Sequence, residues 1–177
     1  NSIFITEKNS NYLRKIALEL KKEIFEHKNF IGGRYSVLSE TGMLPAVLMG
    51  LSYKKFKRFD NLINNRNFQN QLISNVSCLL SLYKNRKTNS IILNYDSKSN
   101  DLFYWYQQLV AESLGKKSKG ILPLISSMPK DNHSLMQLYL DGNKNNFYTF
   151  FYTKDRNYPK LNKEMIPSSL KFLRKKD

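Results

Sequence analysis

Three short segments carry side chains able to move protons. In Gln107–Lys116 (QQLVAESLGK), Gln108 and Glu112 are four residues apart, so on a helix they share a face. Glu112 stands near the carboxyl end of that stretch, before Gly115, where the helix dipole disfavours a carboxylate. Desolvated there, a carboxylate holds its proton more firmly and suits general-base work. The plainer reading is an exposed glutamate on an amphipathic helix. In Asn29–Ser36 (NFIGGRYS), Gly32 and Gly33 let the backbone approach a ligand or adopt positive φ, and Arg34 adds a cation beside them. A tight strand-to-helix turn uses the same glycines. In Pro129–Gln137 (PKDNHSLMQ), His133 opens a short helix straight after a strand. There it either transfers protons near neutral pH or makes a structural hydrogen bond. The other histidine, His27, lies in a polar helix end and reads as surface.

Elements must hold these groups in place. Ile3–Thr6 is β-rich, and Leu13, Ile16, Leu20 and Ile24 space a helix over 9–28. Phe30–Ile31 reads as a short strand running into the glycines. The stretch 36–50 has helical character and almost no charge, which predicts burial, with Pro45 in it. Residues 54–65 are basic and amphipathic. Leu72, Val76, Leu79, Leu80 and Tyr83 line one face of a helix over 68–84. Ser90–Tyr95 (SIILNY) is a continuous apolar strand of the parallel-sheet kind. A helix over 102–114, a strand over 121–125, a helix over 133–140 and a strand over 147–152 complete a βαβαβ series. The fold class is therefore α/β with a parallel sheet. Ligands of such sheets sit at the carboxyl ends of the strands.

Bulk properties narrow the function. The 177 residues suit one domain or pieces of two, and a hydrophobic fraction of 41% supports a core. No apolar run is long enough to cross a bilayer, and no signal-peptide pattern opens the chain. Asn1 leads directly into the first strand, so the chain is expected to begin inside a longer protein. Cys78 is alone and sits among periodic apolar residues, which predicts a buried structural thiol in a reducing compartment. The net charge of +15 raises a nucleic-acid reading. Against it, lysines number 22 and arginines seven, and the lysines are scattered rather than gathered with aromatics on one face. A solvated basic surface explains them, and a positive field still helps an anionic substrate arrive.

The three segments, in this order, resemble the glucose-6-phosphate isomerase family. Ile31–Ser39 (IGGRYSVLS) with Thr41–Ala46 (TGMLPA) is similar to its first signature, with Glu40 where that signature usually has a small residue. Tyr95–Asp96 and Tyr106–Lys116 resemble its glutamate segment, and Asp131–Gln137 with Asp141–Gly142 its histidine segment. The likeness runs from about Ile3 to about Tyr152.

The resemblance implies a three-layer αβα sandwich of the sugar-isomerase (SIS) type, with parts of two such domains present. Residues 1–50 would close the first domain, 51–87 would be a helical connection, and 88–177 would open the second. It implies Glu112 as the base moving the proton between C2 and C1 through a cis-enediol. Arg34 would stabilise the developing charge, and Gly33, Arg34 and Gln108 would bind substrate. His133 would open the sugar ring from the partner subunit of a homodimer. It implies a cytoplasmic enzyme of glycolysis and gluconeogenesis taking D-glucose 6-phosphate and D-fructose 6-phosphate, with no metal, no organic cofactor, no nucleic acid and no membrane partner. A bifunctional glucose/mannose-6-phosphate isomerase and a non-catalytic sugar-phosphate-binding domain stand as alternatives. The family's phosphate-binding loop and ring-opening lysine have no counterpart here; Lys171, Lys175 and Lys176 lack the motif context. This chain alone is expected to show little turnover and poor solubility.

Overall fold

In the computed structural model, which describes residues 2–56, 58–154 and 163–175, two separate parallel sheets are joined by helices. Asn1, Lys57, Pro159 and Lys176 lie outside the described residues.

The first sheet pairs β1 (Ile3–Glu7) with β2 (Glu23–His27), Ile5 facing Phe25 in register. Between them runs α1 (Tyr12–Glu19). Its start is set by Asn11, whose Oδ1 accepts from the Arg14 N–H at 2.9 Å while its amide donates to Thr6 Oγ1 at 2.9 Å. A side-chain oxygen at this position satisfies an otherwise orphaned helical N–H. The helix is shorter than its apolar spacing predicts. It stops at Leu20, Lys21 turns the chain at φ 49°, and the expected helical tail is strand β2. The expected strand at Phe30–Ile31 is absent. Parallel pairing with β1 satisfies the backbone of Glu23–His27 and outweighs local spacing, because Ile24 alone fits either period.

A 3₁₀ turn (Gly33–Leu38) leads into α2 (Glu40–Leu48), then α3 (Tyr53–Phe56), α4 (Phe59–Ile63) and α5 (Arg66–Lys84). Asn65 Oδ1 caps α5 by accepting from the Phe68 N–H at 3.0 Å. Two expectations fail here. In the charge-poor stretch 36–50 only Ser36 and Ala46 are buried, and Leu48 and Met49 are exposed. Cys78 is exposed rather than buried. The reason is common to both: no described element of this chain covers these faces, and α5 has no buried residue.

The second sheet has order β4–β3–β5, all parallel, with β3 (Asn89–Asn94) central. Helix α6 (Asn100–Leu114) returns the chain from β3 to β4 (Leu122–Ser127). The expected helix over 133–140 is two pieces, α7 (Asp131–Ser134) and α8 (Met136–Asp141), broken at Leu135; they lead to β5 (Asn146–Phe151). Strand alternation sorts β3 to two faces. Ile91 and Leu93 pack with Met128 against Met136 and Tyr139. On the other face Ser90 and Ile92 look toward Phe103, Trp105, Tyr106 and Leu109 of α6 across a cavity of about 400 Å³. Helix, sheet and helix thus form three layers. Each fully buried Ile or Leu side chain contributes about 1.5–3 kcal/mol, so the stability of this unit centres on β3.

Candidate active site

Glu112 sits in the last turn of α6, and Arg34 sits in the 3₁₀ turn beyond the carboxyl end of β2. Though 78 residues apart, they touch. Arg34 Nη1 donates to the Glu112 backbone carbonyl at 3.1 Å and lies 3.3 Å from Glu112 Oε2. The other carboxylate oxygen, Oε1, accepts from Gln108 Nε2 at 3.0 Å, one helical turn back. Three of the residues singled out by spacing therefore form one cluster. Its carboxylate is not desolvated: the Glu112 side chain is 49% exposed and that of Arg34 29%. Glu112 is thus exposed, as in the plainer reading of its helix.

Side chains that spacing did not single out complete the contact. The Trp105 indole N–H donates to the Arg34 carbonyl at 3.3 Å, and the Tyr35 hydroxyl lies 3.4 Å from Ser113 Oγ. The Arg34 guanidinium stands 5.9 Å from the Tyr35 ring centroid, within cation–π range. Trp105, Gln108 and Glu112 fall at i, i+3 and i+7 of one helix, a periodicity that could have grouped them beforehand. Gly32 and Gly33 need no positive φ, and a Cβ at either would meet nothing within 4 Å. Neither glycine is demanded by the fold of this chain. The expected need for positive φ falls elsewhere, at Gly50 and Gly120.

His133 is placed apart. Helix α6 ends at the amino edge of the three-stranded sheet, because it must return the chain to begin a parallel strand. His133 follows the carboxyl end of β4, at the opposite edge. Six residues of strand span roughly 20 Å, and no hydrogen bond or ion pair joins its imidazole to Arg34 or Glu112. Beside it Asp131 accepts from the Ser127 N–H at 2.7 Å, from Ser126 Oγ at 3.0 Å and from Ser134 Oγ at 3.2 Å. Desolvation alone would raise the Asp131 pKa. These hydrogen bonds and the Lys130 charge together outweigh it and hold the carboxyl below its ordinary range.

His27 is not a surface residue. Its side chain is 15% exposed, its Nε2 lies 3.0 Å from the Ile31 carbonyl, and its Nδ1 faces Thr41 and Glu40 of α2. A groove of about 490 Å³, lined by Phe30, Gly32, Tyr35 and Glu40 among others, borders the same loop, but Arg34 and Glu112 do not line it. Among the described residues no group of three or more His, Cys, Asp or Glu side chains could hold a metal ion, and no helix is long and apolar enough to cross a membrane.

Comparison with known proteins extends this picture. A family profile described as phosphoglucose isomerase matches residues 3–125. The glucose-6-phosphate isomerase of Methanocaldococcus jannaschii is 35% identical over 158 residues, covering 86% of this chain and 39% of that protein. Those of Acetivibrio thermocellus and Mycoplasma capricolum are 34% and 32% identical, over 81% of this chain in each case and 33% and 34% of their own lengths. The chain thus spans little more than a third of the curated relatives it matches. In fold it is similar to the crystal structure of a hypothetical protein from Thermus thermophilus, with a TM-score of 0.69 at 24% identity over 84% of this chain and 37% of that one.

Proposed function

The chain belongs to the phosphoglucose isomerase family, and from that premise we propose that it supplies the proton-transfer centre for interconverting D-glucose 6-phosphate and D-fructose 6-phosphate. One observation carries the reading: Arg34 is held directly against Glu112 by two elements 78 residues apart in sequence. With an open-chain sugar in this contact, Glu112 takes the C2 proton and returns it to C1, while the hydroxyl proton on O2 passes to O1. The Arg34 guanidinium faces the oxygen that gains charge as the cis-enediol forms, a preorganised cation where it is needed. Gln108 is a positioning residue, since its amide fixes Oε1 and so the direction of the carboxylate. The open space over Gly33 suits a close-lying sugar.

His133 opens the ring from a second copy in this proposal. Its place at the far edge of the sheet supports that reading, because within one chain it stands roughly a strand length from Glu112. The division into residues 1–50, 51–87 and 88–177 as two partial domains and a connection, the cytoplasmic location and the place in glycolysis and gluconeogenesis belong to the same proposal. So does chemistry without metal or organic cofactor, since an α-hydroxy carbonyl already acidifies the proton that moves.

The test is fructose 6-phosphate conversion, measured with this chain and with a polypeptide extended in frame to the length of its relatives. In the extended form Glu112→Gln should lower kcat at least about 100-fold, the scale of a lost general base, while sugar-phosphate binding persists. The short chain should turn over little. Binding without turnover in the unmutated extended form would favour the non-catalytic sugar-phosphate domain instead. Equal turnover of mannose 6-phosphate would favour the bifunctional enzyme.

A further inference from the structure

The geometry points to His27 and Glu40 as a proton-dependent latch that positions the loop carrying Arg34. His27 closes β2, and its imidazole is wedged between the loop and the start of α2. Nε2 lies 3.0 Å from the Ile31 carbonyl, and a carbonyl only accepts, so Nε2 carries a proton in either charge state. Nδ1 is then the atom whose proton comes and goes.

Two partners compete for Nδ1. Thr41 Oγ1 is 3.3 Å away and can donate to it when the ring is neutral. Glu40 Oε2 is 3.6 Å away; the side chain is 35% exposed, but this oxygen is shielded and has no hydrogen-bond partner among the described residues. A buried carboxylate oxygen without a donor is costly. Protonating Nδ1 supplies that donor and turns both ring contacts into charge-assisted hydrogen bonds, one to α2 and one to the loop.

The loop between these anchors is short. Ile31 is held by His27 at one end. At the other, Arg34 is held by the Trp105 indole through its carbonyl and by Glu112 through its guanidinium. Tightening the His27–Ile31 bond therefore fixes Gly32, Gly33 and Arg34 against α6. Other charges face the imidazole. Glu7 lies opposite it in strand register, and Lys8, Glu26 and Lys28 line the same cleft. Lys28 sits 3.9 Å from Glu26, and both are exposed, so water screens them more than it does Glu40. The loop is held more tightly with Nδ1 protonated, because the second charge-assisted contact, to Glu40, forms only then.

The role in positioning Arg34 for catalysis rests on the isomerase reading; the latch itself does not. Trp105 is the chain's single tryptophan and touches the loop, so its fluorescence reports the seat of Arg34. The experiment follows Trp105 emission and the protection factor of the Tyr35 amide, which donates to the Gly32 carbonyl, from about pH 5 to about pH 8 in the 177-residue chain. Protection should rise about threefold to tenfold toward the acid side, the worth of one partly exposed charge-assisted hydrogen bond. Glu40→Gln and His27→Gln should each flatten that profile, while His133→Gln leaves it. A flat profile in the unmutated chain, an unchanged one in Glu40→Gln, or one lost in His133→Gln would each overturn the latch. Far-UV circular dichroism separates these results from misfolding, and a misfolded Glu40→Gln leaves His27→Gln to decide. A working latch in an extended protein that neither binds nor converts sugar phosphates would remove the isomerase reading and keep the latch.

Discussion

The two sheets of this chain are built from the same parts, parallel strands joined by a helix, yet they differ in what covers them. In the three-stranded sheet, Ser90–Asn94 of β3 are buried, with Ile91 1% exposed between two helical layers. In the two-stranded sheet only Thr6 is buried, and α1 adds only Ala17. A central strand flanked on both sides has no free edge; a pair has two. The candidate site joins these unequal halves. Glu112 and Gln108 stand on the well-anchored one, and Arg34 stands on a loop of the other. The contact needs devices to seat that loop, and Trp105, Tyr35 and His27 supply them.

Three changes sharpen or break the comparison. The largest effect is expected for Ile91→Ala, a cavity in the better-packed sheet, at about 2–5 kcal/mol in thermal or urea unfolding followed by circular dichroism. A loss under about 1 kcal/mol would mean that β3 does not carry the stability assigned to it. Next, Asp131 ties α7 to β4 by two hydrogen bonds, accepts a third from Ser134 within α7, and titrates below its ordinary value. Its folded pKa is depressed, so its contribution is complete above the ordinary aspartate range near pH 4 and is lost as pH falls through the lowered value. Asp131→Asn should therefore destabilise the chain at neutral pH, and the gap to the unmutated chain should close on acidification. A gap that stays constant with pH would show that the carboxylate's charge plays no part. The smallest effect is expected at Asn11→Ala, which removes the α1 cap at about 1 kcal/mol. It should raise amide exchange in β1 and β2 and leave β3–β5 untouched. Equal loosening of both sheets would abolish the distinction between them.

Much was legible from residue order alone. The continuous apolar run Ser90–Tyr95 reads as a strand of the parallel-sheet kind, and β3 lies at 89–94 between two helical layers. Gln108 and Glu112 share a face because any helix puts them there. The Gly-Gly-Arg turn and the glutamate segment were each recognisable, and the family followed from their order. Local reasoning failed where local signals are degenerate. Ile24 fits a helix and a strand equally, and only the β1 partner, which no local window contains, made Glu23–His27 a strand.

Burial was the other failure, at Cys78 and at 36–50, because burial depends on what lies opposite and not on the residue itself. Sequence by itself determined the α/β class and the strand that anchors it, and it singled out Arg34, Gln108, Glu112 and His133 as candidates. Tertiary structure alone decided that the first three meet across 78 residues while His133 stands at the far edge of the sheet. It alone drew His27 inward to face Glu40. The physical reason is range. Helical and strand periodicity act over a few residues, whereas the meeting of a β2 loop with the end of α6 is set by how whole elements pack.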